Sequence, residues 1–313
     1  MVVNPREEVA REEPFARGGV PTEAAAGAPV RQTSLWRDAA RRYVRNRGAV
    51  IAGIAFLIIV LYSLLTPVFS PYDPYNVDFS QAYQPLSFAH PFGTDQFGRD
   101  LFTRAALGGR VSIGIGFAAT IAILVMGLLY GATSGFVGGK VDNGLMRFLD
   151  ALYGLPYLPF AIIVSAIVGT VTFWTMVIAL SIVSWFTAAR IVRGQIITLK
   201  ENDYVRAARA VGARWYRILG RHLLPNTLGV IVIAIFLELP GVILGEAILS
   251  FIGLGINPPK ASWGSMAQDG FQVYQLHPNV ILVPSLFIAA LVLCANFVAD
   301  GLRDALDPRT RET

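Results

Sequence analysis

The sequence predicts an all-α polytopic membrane protein: six transmembrane helices, with an interfacial helix ahead of the first. Three observations predict it. Hydrophobic residues make up 54% of the chain and charged residues 15%, too apolar for an ordinary water-soluble chain of 313 residues. The apolar residues fall in blocks near 49–66, 111–133, 152–170, 172–189, 228–250 and 280–299, each approaching or reaching the length that crosses a bilayer. The basic residues are partitioned. Arg31, Arg37, Arg41, Arg42, Arg45 and Arg47 precede the first block, and Arg190, Arg193, Lys200, Arg206, Arg209, Arg214, Arg217 and Arg221 cluster between the fourth and fifth. Segment 67–110 instead mixes Arg99, Arg104 and Arg110 with Asp73, Asp78, Asp95 and Asp100, while 251–279 holds only Lys260 and Asp269. The positive-inside bias therefore places both termini and 190–227 in the cytosol, which six spans satisfy. The net charge of +5 reports this topology, not nucleic-acid binding, for which no recognition module is visible.

Residues 1–30 are rich in Ala, Gly, Pro, Glu and Arg without a periodic apolar face and are expected to be a disordered cytosolic tail. From Leu35 to Val44 the pattern becomes amphipathic. Leu35, Trp36, Ala39, Ala40, Tyr43 and Val44 share one side, as in a helix lying on the cytosolic leaflet. The first apolar block starts too far in, and is too long, for a cleaved signal peptide, and no small-residue cleavage pattern follows it. It should end near Thr66–Pro67 and open into an external segment reaching about Gly109. There HPFGTDQFGRD places Gly93, Thr94, Asp95, Gly98, Arg99 and Asp100 in a turn-rich structural motif, with the aspartates positioned to pair with Arg99 or Arg104. His90, Asp95 and Asp100 lack any recognised metal spacing, so a loop closed by hydrogen bonds is expected and no metal site is assigned.

The second block carries Gly127, Gly131 and Gly135 at four-residue intervals, a face that lets another helix approach closely in lipid. Segment 134–155 is a shorter cytosolic element with a helix before Pro156. Gly169-Thr170 then breaks the third block from the fourth in a tight outward hairpin. The fifth block holds Glu238, followed by Pro240-Gly241, and Glu246 nearer its outer end. A carboxyl group at that depth faces either a wet pathway or a partner in the bundle or across a subunit interface, and both remain open for Glu238. FIGLGINPPKASWGS is expected to form a short re-entrant or surface helix. The last block leads to a polar tail in which Asp300, Arg303 and Asp304 are close enough to pair. Cys294 stands alone, so no disulfide framework or thiolate site is available.

Between the fourth and fifth blocks, NDYVRAARAVGARWYRILGRHLLPN at 202–226 reads as a helical hairpin. Asn202 or Asp203 opens it, Gly212 bends it, and Leu224-Pro225 is expected to stop it. Tyr204, Val205, Ala208 and Val211 can share one side of its first helix. Trp215, Ile218 and Leu219 gather on one side of its second, with Arg214, Arg217 and Arg221 on another. It is either packed on its own bundle or a docking element for a cytosolic protein. No Gly-rich run ends in Gly-Lys-Ser/Thr, and no dinucleotide motif, zinc signature or nucleophile elbow occurs. His90, His222 and His277 are too dispersed for a triad. The chain is thus expected to be no enzyme, but a channel-forming subunit driven by another polypeptide. An ion-coupled transporter using Glu238 and a membrane scaffold are the competing classes.

At these residues the sequence resembles the permease subunits of ATP-binding-cassette importers, in the second-permease branch of the dipeptide, oligopeptide and nickel group. The family's cytosolic Glu-Ala-Ala, later glycine and Leu-Pro correspond to Arg206-Ala207-Ala208, Gly212 and Leu224-Pro225, with arginine replacing the usual acidic residue. GTDQFGRD, GGKVDNGLMRFLDALYGLP, EAILSFIGLGINPP, ASWGSMAQDG and ADGLRDALDPR are similar to further family patterns, so the resemblance runs from the interfacial helix to Arg309. It implies a type I importer permease fold. Its core lies at 105–300, 31–104 is an attached element of interfacial helix, first span and external segment, and 301–313 is a cytosolic tail. It further implies a bacterial inner-membrane complex with a second homologous permease, two ATP-binding subunits carrying ATP and Mg, and an extracytoplasmic substrate-binding protein. This chain would bind no cofactor. It would couple to the ATPases through Tyr204, Arg206, Ala207, Ala208, Gly212, Leu224 and Pro225. Peptide is the implied cargo; nickel chelates, glutathione and oligosaccharides are alternatives within the same fold.

Overall fold

A computed structural model of the chain describes residues 35–169 and 171–306. The expectations for the tail at 1–30, for Thr170 and for the chain beyond Leu306 lie outside the described residues. Among those described there is no sheet, only one isolated bridge between Thr94 and Asp100. The helices are α1 (Leu35–Arg45), α2 (Arg47–Phe69), α3 (Leu101–Val137), α4 (Gly139–Tyr153), α5 (Tyr157–Val168) and α6 (Phe173–Lys200). They continue as α7 (Asp203–Ala210), α8 (Trp215–Ile218), α9 (Leu224–Leu249), α10 (Trp263–Phe271) and α11 (Pro278–Leu306).

Among the described residues, five helices are long and apolar enough to cross a membrane: α2, α3, α6, the stretch Ile233–Leu254 and α11. The third expected span is different. Block 152–170 is not one helix: α5 covers 12 residues, about 18 Å, and meets α4 at a 94° bend. Pro156 sits at that corner because the residue before a proline is pushed out of helical geometry. Six spans are reached only by taking this bent pair as one. The expected break at Gly169 is present, as an α5 cap with φ of 83°, and a Thr172–Thr175 capping box starts α6.

Three other boundaries differ from the sequence reading. The segment after α2 ends at Asp100 rather than Gly109, because the Asp100 carboxylate accepts from the Thr103 amide and starts a helix of 37 residues. Leu224-Pro225 does not stop the hairpin. A wide π-helical turn over Leu219–Leu223 precedes it, with the Leu224 amide bonded to the Leu219 carbonyl, and proline is tolerated in the first turn of α9. Within 251–265 a π-helical turn carries α9 on to Leu254, and the separate helix begins at Trp263, after a turn containing Pro258 and Pro259; a Ser262–Ser265 capping box fixes its start. Near the chain's end, among the described residues, no ion pair joins Asp300, Arg303 and Asp304.

The central seam is α3 on α6. A side chain on Gly127 would place its Cβ 2.6 Å from that of Ala188, and one on Gly135 would lie 2.8 Å from the Arg193 carbonyl. The small-residue face therefore makes the close approach expected of it, with α6 as its partner. On one side of the seam an apolar core joins α3, α4, α5, α6 and α9 around Ile123, Leu149, Met176 and Leu180. On the other, α2, α3, α10 and α11 close around Leu101, Trp263 and Leu291, where the Trp263 indole donates to the Ala105 carbonyl at 2.7 Å. The α1 helix packs against α11 and α2, with the Tyr43 hydroxyl bonded to the Ala49 carbonyl and Gly301 leaving room for both residues. Of its expected apolar face, Ala39 is buried while Ala40 and Val44 stay exposed.

Candidate functional site: the hairpin, the cleft and the loop end

The hairpin grows directly from α6. Lys200, the last residue of α6, donates to the Gly135 carbonyl at 3.0 Å and ties the end of α6 to the end of α3. Asn202 is the cap residue of α7, in extended geometry and without a side-chain capping bond. The α7 helix ends in a Schellman arrangement. The Gly212 amide bonds to the Arg209 carbonyl at 2.9 Å and the Ala213 amide to the Ala208 carbonyl at 3.0 Å. Gly212 has φ of +80°, and nothing lies within 4 Å of where a Cβ would stand, so only its backbone, not crowding, demands glycine.

Few residues anchor this hairpin. Val205, Ile218 and Leu223 are buried against Ala132, Val192 and Ile196 of α3 and α6, with Ala208, Ala213, Leu219 and Leu224 packed at the edge. The shared apolar face expected for Tyr204, Val205, Ala208 and Val211 is only half realised: Val205 is fully buried and Ala208 partly, but Tyr204 is exposed and Val211 is 84% exposed. Trp215 likewise points away from Ile218 and is 62% exposed. The helix is too short for all four positions to reach the bundle. Ala207, Arg214, Arg217, Arg221 and Pro225 are exposed to solvent as well. Arg206 reaches back to Glu201 at 3.3 Å in a solvent-exposed pair, and Arg209 lies over the Phe136 ring at 5.7 Å.

The bend between α4 and α5 lies beside the same end of the bundle. Asp142 is gripped by Arg193 through two bonds of 2.6 Å and by the Ser134 hydroxyl, a bidentate pair that locks α4 onto the α3–α6 seam. Arg193 is one of the gathered basic residues, but Asp142 lies 51 positions away, and no sequence spacing joins the two. Past this corner opens a cleft of about 430 Å³ between α4–α5, α6 and α9. Glu238 stands on its α9 wall, beside Gly241 and Val242. No hydrogen bond or ion pair joins its carboxylate to any described residue. Glu246, two turns on, is fully buried and opposite in character: Ser250 donates to it at 2.6 Å and Ser112 at 2.9 Å, and the Trp263 amide in turn donates to Ser112.

The loop end is densely bonded. The Asp95 carboxylate accepts from the Phe97 and Arg99 amides at 2.9 and 3.0 Å, pairs with the Arg99 guanidinium at 2.7 Å and meets that of Arg104 at 3.3 Å. The Asp100 carboxylate takes Thr103 on one oxygen and His90 on the other, at 3.0 Å. Thr94 bonds to the Gln81 carbonyl and the Gln84 amide. Gly98, at φ of +71°, lies against the Asp78 carbonyl where no side chain fits. Asn279 at the start of α11 donates to the Phe92 carbonyl, and Tyr83 stacks on His277. Beside this network a cavity of about 550 Å³ is lined by Tyr75, Arg99, Lys260 and Asp269. Burial pushes the Asp269 carboxyl above the usual range, opposed by Arg104 and Arg99.

Helices crossing around a glycine seam, a broken span and a hairpin hung between two spans define a type I ABC importer permease fold. The chain superposes on a chain of the MetNI methionine ABC transporter in an inward-facing form with a TM-score of 0.50, at 20% identity, covering 63% of this chain and 93% of that one. The chain belongs to the family described as binding-protein-dependent transport system inner membrane component, which matches residues 127–312. Residues 34–85 match a second family, the N-terminal TM domain of oligopeptide transport permease C. The chain is 40% identical to the oligopeptide transport system permease protein OppC of Haemophilus influenzae over 280 residues, 89% of this chain and 90% of that one. It is 41% identical to the protein of that name from Bacillus subtilis, with 89% and 91% covered, and 38% identical to the dipeptide transport system permease protein DppC of Bacillus subtilis, with 89% and 87% covered.

Proposed function

We propose that this chain is a permease subunit of an ATP-driven importer of dipeptides or oligopeptides, forming one half of the translocation pathway in the bacterial inner membrane. The observation that carries the cargo is the likeness of about 40% over 89% of the chain to permeases named for oligopeptides and a dipeptide. The complex holds a second, homologous permease, two ATP-binding subunits with their ATP and Mg, and an extracytoplasmic binding protein. The hairpin end and both termini face the cytosol, where the basic residues gather.

The hairpin's exposed surface supports its role as the ATPase contact. Val211, Trp215 and Ala207 face outward and are left uncovered by the bundle, a surface suited to a groove on a neighbouring protein. Val205 and Ile218 lock the hairpin to α3 and α6, so a displacement of its outer face is delivered to the helices that carry the seam. Arg206 is held by Glu201 and supplies orientation rather than a buried contact.

Reconstitution of the complex tests the reading. ATP-dependent peptide uptake is expected only with binding protein and ATPase subunits present. Ala207→Trp, which adds bulk at an exposed position, should cut uptake while the permease pair still assembles. Uptake by the permeases alone on a proton gradient would overturn the assignment, and unchanged uptake in Ala207→Trp would overturn the docking surface.

A further inference from the structure

We propose that Glu238 holds a cationic group of the passing cargo, its free α-ammonium above all, within the cleft between α4–α5, α6 and α9. This rests on the reading of the chain as half of a peptide importer. A carboxylate placed midway along a spanning helix is costly unless something compensates it. Glu246, on the same helix, has each carboxyl oxygen bonded by a hydroxyl, from Ser112 and Ser250. Glu238 has no such shell: it lines open space of about 430 Å³, a volume in the range of small-molecule sites, roughly 300–1,000 Å³.

The cleft is built, not left over. The Tyr153 hydroxyl meets that of Thr187 of α6 at 3.3 Å, and Tyr157 lines the same cleft as Ser184, so two tyrosines of the broken span face the space that Glu238 lines. Gly245 makes room for the Tyr157 hydroxyl, and Gly241 leaves bare backbone beside the carboxylate. Phe160, Phe186 and Val242 supply apolar wall for a side chain of any kind. The chemistry that fits is a cation carried by a small body of variable apolar surface. A peptide's α-ammonium is the one cationic feature common to all peptides with a free N-terminus, so a single carboxylate serves a cargo whose side chains vary.

Two measurements on the assembled complex test this. With the binding protein saturated by one tripeptide, Glu238→Gln should lower uptake about tenfold and lower the peptide moved per ATP consumed, and Glu238→Asp should recover most of the loss. Independently, Glu238→Cys in a Cys294→Ala background should react with a soluble thiol reagent, and transported peptide should slow that reaction several-fold. Uptake per ATP unchanged in Glu238→Gln, or a cysteine at 238 that peptide does not protect, would overturn the proposal. So would separation of the two permeases on Glu238→Gln, because it would assign the carboxylate to a subunit contact. Failure of the unsubstituted complex to take up peptide would instead overturn the cargo assignment, which separates the two ideas.

Discussion

The two ends of the bundle are held by different physics. At the end formed by 70–100 and 255–277, loops are sewn down by buried charge and backbone bonds. Asp95 alone accepts from two amides and two guanidiniums, and Trp263, Phe92 and Phe287 gather their rings beneath. At the other end the hairpin is fastened by three buried side chains, while Tyr204, Val211, Trp215 and Tyr216 are left facing out. The first arrangement resists movement because each bond broken strands a buried polar group. The second is attached to the spanning helices but incomplete on its outer face. One end is a lid on the bundle and the other a handle.

Substitutions can break this contrast or sharpen it. The largest effect is expected at Asp95: Asp95→Ala leaves Arg99 and Arg104 buried without their shared anion and should cost about 3–5 kcal/mol, read as a fall in thermal stability in detergent. Next is the seam between the ends. Gly131→Leu drives a side chain into the Ala189 carbonyl and the Arg193 amide, an overpacking worth about 3 kcal/mol and visible in the same melt. Asp142→Asn removes a charge-assisted pair with Arg193 and should cost about 2 kcal/mol; if the handle acts through this corner, uptake per ATP falls as well. Gly212→Ala forces a left-handed residue and should cost about 1–2 kcal/mol, with its larger signature in coupling rather than in melting. Smallest is Arg206→Ala, below about 1 kcal/mol, since its pair with Glu201 is exposed. A large melting shift from Gly212→Ala with coupling intact would dissolve the contrast.

Much of this was legible from residues alone. The glycines at 127, 131 and 135 announce a close helix contact because only a missing Cβ lets backbones meet, and the contact is there. Gly212 is legible for a different reason: its left-handed backbone, not a close contact, asks for glycine. What misled was punctuation: Pro225 reads as a stop, yet a widened turn ahead of it lets the helix run on. The hairpin's apolar faces misled too, since periodicity says which residues align but not whether a neighbour covers them. Of Tyr204, Val205, Ala208 and Val211, the first and last look outward.

Composition and charge, by themselves, determined that this is a polytopic helical membrane chain, because blocks of apolar sequence and gathered arginines have few other uses. Motif spacing determined its family. Only the tertiary structure decided that α4 and α5 meet at a sharp bend, that Asp142 and Arg193 pair, and that Glu246 is satisfied while Glu238 is not. The proline marks where the bend falls but not its angle, and the pairings depend on which side chains from distant parts of the chain arrive at the same point. A linear pattern carries no such distance.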